Sequence, residues 1–386
     1  MLGQLTGPTA GGNKIPDLFS DASLIAAGIR FELALAEACA TEGLISAAEL
    51  EAIHQAGNTI EPDIDPMIAD VQNAGTLAIP LVAALKAKVR DIRPDIEKRI
   101  HLGSTSQDLA DSVCAMLSRE AIKQLVNTAR NVCDELASLA ANHRSTPMVA
   151  RTLTRQALPM TFGLKAALWL SEVTSALKMV DQEASRLCVQ LGGASGTLAG
   201  LQGRGTQIRA HVARQLNLQD PGISWHTNRQ QTVRLSVGLN LVCTALAKIA
   251  QDVALLGQDE IGELREMNPP GRGGSSAMPH KHNPTSSQQA LAAVARVKAQ
   301  TSGIVSAPTQ EFERSIQGWQ VELGVLAEQF VWTEDALLHV TRMIQRLEID
   351  QGRMLHNLQK AGVGNDIGES EAIVDATISA YERSKS

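Results

Sequence analysis

Residues 274–284 gather side chains that could carry acid–base chemistry and bind carboxylates. The segment reads GSSAMPHKHNP, so two adjacent hydroxyls lie close in the chain to Lys281 and Asn283. Glycines leave the backbone free and prolines oppose helix continuation, so residues 271–284 are predicted to form a loop, which we call the 271–284 loop. A lid that carries a reactive hydroxyl is one interpretation, and a plain connector between two helices is the other.

Other familiar kinds of site fit this loop less well. It lacks the Gly-x-x-x-x-Gly-Lys-Ser/Thr pattern of a phosphate-binding loop, and no dinucleotide fingerprint follows a strand. His280 and His282 would supply at most half of a tetrahedral metal site, and no cysteine cluster accompanies them. We therefore predict no metal site at this loop.

The composition favours helices and argues against polyanionic partners. Of the 386 residues 44% are hydrophobic but only 3% aromatic, so the core must consist mainly of aliphatic side chains. A formal net charge of -6 argues against a nucleic-acid or anionic-membrane surface. The five scattered cysteines are typical of thiols in the cytoplasm, and neither a secretion signal nor a membrane span is predicted.

Long helices are predicted to position the loop. Apolar residues recur every three or four positions from Leu235 to Leu256, as in a heptad stripe, within a helix predicted over about 228–266. Other proline-free, helix-favouring stretches occupy roughly 108–143, 160–190, 285–306 and 318–346. These five helices predict an all-α protein with a central bundle.

The loop and several other segments resemble sequence motifs of the fumarase/aspartase superfamily. GSSAMPHKHNP matches every fixed position of the superfamily signature Gly-Ser-Ser-x-Met-Pro-x-Lys-x-Asn-Pro. The sequence HLGSTSQD at 101–108 resembles its first substrate-binding loop, and RT at 151–152 with PMTFG at 159–163 resembles its second. Further matches follow in the expected order, GGASGT at 192–197 and ERS at 313–315.

The resemblance implies a three-part, all-α fold of the fumarase/aspartase type. We expect an N-terminal helical domain at 1–100, a central bundle with the signature motif at 101–346 and a short helical segment at 347–386. A longer third domain usually follows the bundle in the superfamily, so this last part is shortened. The superfamily also implies a homotetramer in which several subunits build each site, and it implies no metal, nucleotide or redox cofactor.

The shared chemistry of the superfamily makes or breaks a carbon–nitrogen or carbon–oxygen bond β to a carboxylate, through a carbanion. It needs a group that exchanges a proton at the α-carbon, cations that hold carboxylates and donors that stabilise the extra charge. By resemblance Ser275 exchanges the proton, with Lys281 stabilising its alkoxide and binding a substrate carboxylate. The resemblance places these further residues around the substrate: His101, Thr105, Ser106, Asp108, Arg151, Thr152, His226, Arg229, Asn283, Arg314 and Ser315.

Leu153 indicates which branch of the superfamily the chain resembles. In branches that expel water or an amine, the threonine of the second loop is usually followed by a histidine, whereas here Thr152 is followed by Leu153. Hydroxide and amines depart poorly without a proton, but a carboxylate, whose conjugate acid has a pKa of about 4, needs none. The chain therefore resembles the cycloisomerase branch, in which a small tricarboxylate adds one of its carboxylates to its own double bond.

Two other functions stay open at this point. A lyase that acts on adenylosuccinate or argininosuccinate is the nearest alternative, since His101 or His226 could replace the missing acid. A catalytically silent assembly protein on the same scaffold is the other, and the intact Ser275 and Lys281 argue against it. Arg155 stands where the superfamily usually has glutamine, which leaves the substrate preference within the branch undetermined.

Overall fold

The structure, a computed structural model, describes residues 7–269, 272–274, 278 and 281–385. Their α-helices are α1 Ile15–Leu18, α2 Asp21–Thr41, α3 Ala47–Thr59, α4 Ile64–Ala74, α5 Ala78–Ile92, α6 Ser106–Asn142, α7 Phe162–Ser185, α8 Gly205–Gln215, α9 Gln230–Leu256, α10 Thr285–Ser306, α11 Trp319–Gln345, α12 Gln351–Ala361 and α13 Ser370–Ser384. The strands are β1 Pro147–Thr152, β2 Arg155–Thr161, β3 Leu264–Glu266 and β4 Leu347–Ile349. The predicted all-α class is confirmed, with short strands added.

The five long helices predicted from the sequence are α6, α7, α9, α10 and α11, and they pack together as a bundle. The apolar stripe of α9 is buried against its neighbours, so that Leu239, Leu246 and Ile249 have no exposed surface. Thr161 begins α7 by accepting a hydrogen bond from the Leu164 N–H through its side chain (3.1 Å). The predicted central bundle is thus confirmed.

Helix α9 ends at Leu256, although the sequence predicted that it would continue to about residue 266. The chain turns back at Gly257, and the Glu263 N–H donates to the Leu256 carbonyl (2.9 Å). Residues Leu264–Glu266 then pair antiparallel with β4, which lies some eighty positions later in the chain. Helical periodicity in a short window does not report such a distant partner, and the prediction was wrong for that reason.

Alternate bundle helices run in opposite directions, which gives the bundle two ends. At the first end, Arg229, directly before α9, contacts both Asp111 near the start of α6 and Glu322 near the start of α11. At the second end, Gln345, which terminates α11, donates to Glu135 near the end of α6 (3.0 Å). The loops between the helices therefore fall into two groups, one at each end.

The remaining helices pack on the surface of the bundle, with α2 on α6 and α8, and α13 on α6 and α7. The division of the chain into three parts at residues 100 and 346 stays a prediction.

Helix α9 is also long and apolar enough to cross a membrane, but half of its most apolar window is buried inside this chain. A core helix of a bundle has the same composition, so this helix is weak evidence for a membrane span.

Candidate active site

The first end of the bundle carries an anion-binding arrangement built from Arg314 and the start of α6. The half-buried Arg314 guanidinium donates to the Thr105 hydroxyl (2.7 Å), the Ser106 hydroxyl (3.2 Å) and the Gln107 side-chain carbonyl (3.4 Å). The first backbone N–H groups of a helix lack intrahelical partners and lie at the positive end of its dipole. A guanidinium beside such N–H groups and two hydroxyls suits a carboxylate ligand.

Ser315, the residue after Arg314, shapes the loop and does not line the arrangement. Its hydroxyl donates to the Glu311 carboxylate (2.9 Å) and accepts a hydrogen bond from the Gln317 N–H (3.2 Å). The residue is 7% exposed. In this chain Ser315 therefore supports the loop that presents Arg314, and its contact with a substrate stays a prediction.

Asp108 connects the start of α6 with the glycine-rich segment at 192–197. Its fully buried carboxylate accepts hydrogen bonds from the N–H groups of Gly192 (2.9 Å), Gly193 (2.9 Å) and Thr105 (3.0 Å). Gly193 has a φ of 71°, and a Cβ atom there would lie 2.8 Å from the Gly103 carbonyl, so the close approach of the two segments requires glycine. Asp108 thus holds two loops of the first end in register, and its contact with a substrate stays a prediction.

His226 lies behind Asp108 and extends the same network. Its Nε2–H donates to the Asp108 carboxylate (2.8 Å), and its Nδ1 lies 3.0 Å from the Ser224 hydroxyl. The Asp108 carboxylate only accepts hydrogen bonds, so Nε2 must carry the proton. Both ring nitrogens are occupied and the residue is 2% exposed, so in this chain His226 supports Asp108, and its contact with a substrate stays a prediction.

Arg229 is also buried behind the site. Its guanidinium donates to the Asp111 and Glu322 carboxylates and to the His226 carbonyl, and these bonds use all five of its N–H groups. Burial opposes the charged form, but Asp111 and Glu322 raise the pKa of Arg229 above its ordinary value. In this chain all of these donors join the starts of α6, α9 and α11, and the role of Arg229 in substrate binding stays a prediction.

His101 stands in the loop before α6 and pairs with a residue that the sequence did not point to. Its Nδ1–H donates to the Glu32 carboxylate on α2 at 2.6 Å. Burial would lower the pKa of His101, but the charge and hydrogen bond of Glu32 and the charge of Asp108 outweigh burial and raise it. Glu32 lies 69 positions earlier in the chain, so no local spacing could have indicated the contact.

The second end carries the hairpin of β1 and β2. The Arg151 guanidinium donates twice to the buried Glu263 carboxylate (2.7 and 2.9 Å), so this cation is already paired within its own chain. Thr152 is exposed, and Leu153 and Thr154 form the turn with φ values of 50° and 65°. Both residues thus adopt the left-handed conformation of a two-residue hairpin turn. The Leu153 side chain at the tip is 95% exposed.

The described residues of the 271–284 loop also lie at the second end, and hydrogen bonds join the two sides of its base. The Asn283 N–H donates to the Gly273 carbonyl (2.9 Å), and the Asn283 carbonyl accepts from the Asn268 side-chain amide (3.0 Å). Lys281 is exposed. Ser275, the predicted proton-transfer residue, and His280 lie outside the described residues. Within the described part of the chain, no group of three or more His, Cys, Asp or Glu residues could hold a metal ion.

One chain does not bring the two sets of predicted residues together. The first end holds His101, Thr105, Ser106 and Arg314, and the second end holds Arg151, Thr152, Lys281 and Asn283. Helix α10, which leads from the 271–284 loop towards Arg314, has 22 residues and is by itself roughly 33 Å long at about 1.5 Å per residue, so at least this length of helix lies between the two sets. A small substrate cannot span that distance.

Comparisons with known proteins match the chain to a family of lyases and to several characterised enzymes. A family model described as a lyase matches residues 14–298. The 3-carboxy-cis,cis-muconate cycloisomerase of Acinetobacter baylyi is 35% identical over 89% of this chain and 77% of its own length, and that of Pseudomonas aeruginosa is 38% identical over 88% and 74%. The crystal structure of a 3-carboxy-cis,cis-muconate lactonizing enzyme from Pseudomonas putida is 29% identical, with a TM-score of 0.88, over 96% of this chain and 97% of that one.

Proposed function

The chain belongs to the lyase family of the fumarase/aspartase superfamily, and on that premise we propose that it converts 3-carboxy-cis,cis-muconate to carboxymuconolactone in protocatechuate degradation. The observation that carries the proposal is Leu153 at the exposed hairpin tip, between Thr152 and Thr154. An aliphatic side chain cannot protonate a leaving group. A carboxylate that joins or leaves a carbon atom needs no such proton, because it is stable as an anion at neutral pH.

The reaction forms one carbon–oxygen bond within the substrate. A carboxylate oxygen attacks one carbon of the conjugated double bond, and the π electrons move to the neighbouring carbon, which is α to another carboxylate. The extra charge delocalises into that carboxylate, and a proton then adds to the α-carbon. Holding the carboxylate near the double bond replaces a bimolecular collision with an intramolecular step, which is where the enzyme gains much of its rate.

The proposed roles follow from chemistry and position. Arg314, Thr105 and Ser106 bind one carboxylate at the first end, where cation, hydroxyls and helix N–H groups converge. Lys281 and Asn283 bind another carboxylate from the 271–284 loop, whose closed base holds the backbone of Asn283. Ser275 delivers the proton to the α-carbon.

We infer that these groups meet only in an oligomer, a homotetramer in which loops from different subunits share each site. The separation of the two ends within one chain supports this, since the groups of one subunit cannot reach one small molecule. The bundle helices also expose large apolar side chains that a partner helix would bury. These are Leu168 on α7, Leu241 and Leu255 on α9, Val305 on α10 and Val321 on α11.

We place the protein in the cytoplasm. All five cysteines are free thiols in the structure, and Cys39, Cys133 and Cys243 are buried. Burial raises the pKa of each of these three thiols to about 12, so they stay protonated and unreactive. Buried thiols without a disulfide partner are typical of a reducing compartment.

The test is the loss of diene ultraviolet absorbance when the protein meets 3-carboxy-cis,cis-muconate in the presence of a metal chelator. Closing the ring converts a tricarboxylate into a lactone with two carboxylates, so one proton per turnover should also be taken up from a weak buffer. Ser275→Ala should lower kcat about 10²- to 10⁴-fold, and Ser276→Ala is the matched control. Absence of turnover, or efficient cleavage of adenylosuccinate by the same preparation, would refute the proposed reaction.

A further inference from the structure

We propose that Glu32 holds His101 as an imidazolium and that the free Nε2–H of His101 binds a carboxylate of the substrate at the first end. Glu32 is then a positioning residue for the site, although it belongs to α2 and lies outside all the segments that resemble superfamily motifs. The inference rests on the proposed function only for the identity of the ligand, a small tricarboxylate.

The geometry of the pair is that of a charged hydrogen bond shielded from water. The Glu32 side chain is 1% exposed and the His101 side chain 16%, and the Nδ1 to Oε1 distance is 2.6 Å. The second carboxylate oxygen, Oε2, is buried and has no hydrogen-bond partner among the described residues. A buried carboxylate with so few donors is strongly unfavourable unless a positive charge adjoins it, so the pair favours the imidazolium over the neutral ring.

His101 is directed by its backbone as well as by Glu32. Its φ is 62°, a left-handed conformation that is uncommon for a residue with a side chain, and its carbonyl accepts a hydrogen bond from the Ser104 N–H (3.2 Å). This tight turn leads directly into Thr105 and Ser106, which Arg314 contacts. Nε2 makes no hydrogen bond with the described residues, so in the imidazolium its N–H is free to donate.

The charges around His101 decide how binding depends on pH. Glu32 on α2 and Asp108 on α6 favour the imidazolium, whereas Lys86 on α5 opposes it. Burial of the ring and Lys86 lower the pKa of His101, but the two carboxylates outweigh them, so the pKa lies above its ordinary value. Carboxylate binding through His101 should therefore extend to higher pH than an ordinary histidine allows, and weaken as the pH rises through the pKa of His101.

The probe for the test is tricarballylate, an unreactive tricarboxylate, bound to the intact protein and followed by calorimetry from pH 6 to pH 9. Glu32→Gln keeps a hydrogen-bond acceptor of the same shape but removes the charge, so burial should then lower the pKa of His101. At pH 7.5 we expect this variant to bind tricarballylate about tenfold more weakly than the wild type, and to regain part of that affinity at pH 6.

Glu37→Gln is the matched control, because Glu37 lies five positions later on α2 and pairs with a histidine, His54, at a more exposed site. It should leave both the affinity and its pH dependence unchanged. Selective ¹³C labelling of the nine histidines, with the His101 signal assigned from a His101→Gln variant, reports the pKa of the ring directly.

The two measurements separate this inference from the proposed function. An unchanged pKa of His101 in Glu32→Gln, or affinities for tricarballylate that follow the wild-type pH curve, would overturn the role of Glu32. Neither readout requires turnover. A protein that failed to consume 3-carboxy-cis,cis-muconate could therefore still confirm that Glu32 holds His101 as an imidazolium. Thermal unfolding of Glu32→Gln at the same pH values shows whether a loss of affinity comes from a loss of folded protein.

Discussion

Arg314 and Arg151, the two arginines predicted to hold one substrate, lie at opposite ends of helix α6. Arg314 contacts Thr105 and Ser106 where this helix begins, and Arg151 lies on the strand that follows its end. The helix has 37 residues, which corresponds to about 55 Å at about 1.5 Å per residue. Two such groups can act on one molecule only if they come from different subunits.

Mixed oligomers should therefore recover activity from two inactive variants. Arg314→Ala removes a cation of the first end, and Ser275→Ala removes the hydroxyl that we propose delivers the proton. If each site takes these two groups from different subunits, a mixed tetramer contains some sites with both groups intact. Random assortment predicts about one quarter of the wild-type activity after the two proteins are unfolded and refolded together.

The matched control mixes Arg314→Ala with Thr105→Ala, which both damage the first end and should not complement each other. Dissociation to monomers should abolish activity in the wild type. A monomeric fraction that sediments as such and keeps full activity would contradict the shared site.

Arg314→Lys should lower kcat/KM about 10- to 100-fold while leaving the fold intact. Lysine keeps the charge but loses the planar fork that contacts Thr105, Ser106 and the substrate carboxylate together. Steady-state kinetics with 3-carboxy-cis,cis-muconate measure the effect. Arg30→Lys, an exposed change on α2, is the control, and equal kinetics in the two variants would remove Arg314 from the site.

Asp108→Asn should destabilise the protein by about 2–4 kcal/mol. An amide in place of the buried carboxylate turns one hydrogen-bond acceptor into a donor that faces the N–H groups of Gly193 and Thr105. Urea unfolding at a fixed protein concentration gives the change in the free energy of unfolding. The exposed change Asp70→Asn should stay within about 0.5 kcal/mol of the wild type, and a similar value for Asp108→Asn would show that the network carries little stability.

His339 should make the folded state sensitive to acid. Burial, with the nearby charges of Arg272 and Arg342, lowers the pKa of this histidine to about 4. Its Nε2 lies 2.8 Å from the Thr9 hydroxyl, and its buried Nδ1 has no partner among the described residues. The unfolded chain takes up this proton near the ordinary pKa of about 6.5, so folding stability falls as the pH drops from there towards about 4.

His339→Gln removes this titration and should reduce the stability lost between pH 7 and pH 4.5 by about 2–3 kcal/mol. Urea unfolding at the two pH values gives the difference. His356→Gln, at an exposed position, should keep the wild-type loss. If His339→Gln lost as much stability as the wild type between the two pH values, protonation of His339 in the folded state would carry no free-energy cost.

The amino-acid sequence by itself determined the helices of the bundle and the chemical character of its loops. Helix bounds at 106–142 and 285–306 agree with the predictions because an apolar stripe and the absence of proline are local properties. The glycines and prolines that predict a loop at 271–284, and the leucine that follows Thr152, can likewise be recognised from neighbouring residues.

Tertiary structure alone decided which of these residues meet. His226 and Arg229, which the resemblance places around the substrate, turn inward to Asp108 and Asp111, and Glu32 reaches His101 across 69 positions of chain. The spacing of residues along a helix reports which face is buried and nothing about the direction in which the next helix returns. The separation of the two ends within one chain is visible only in the packed bundle, and it supports the shared site that we propose.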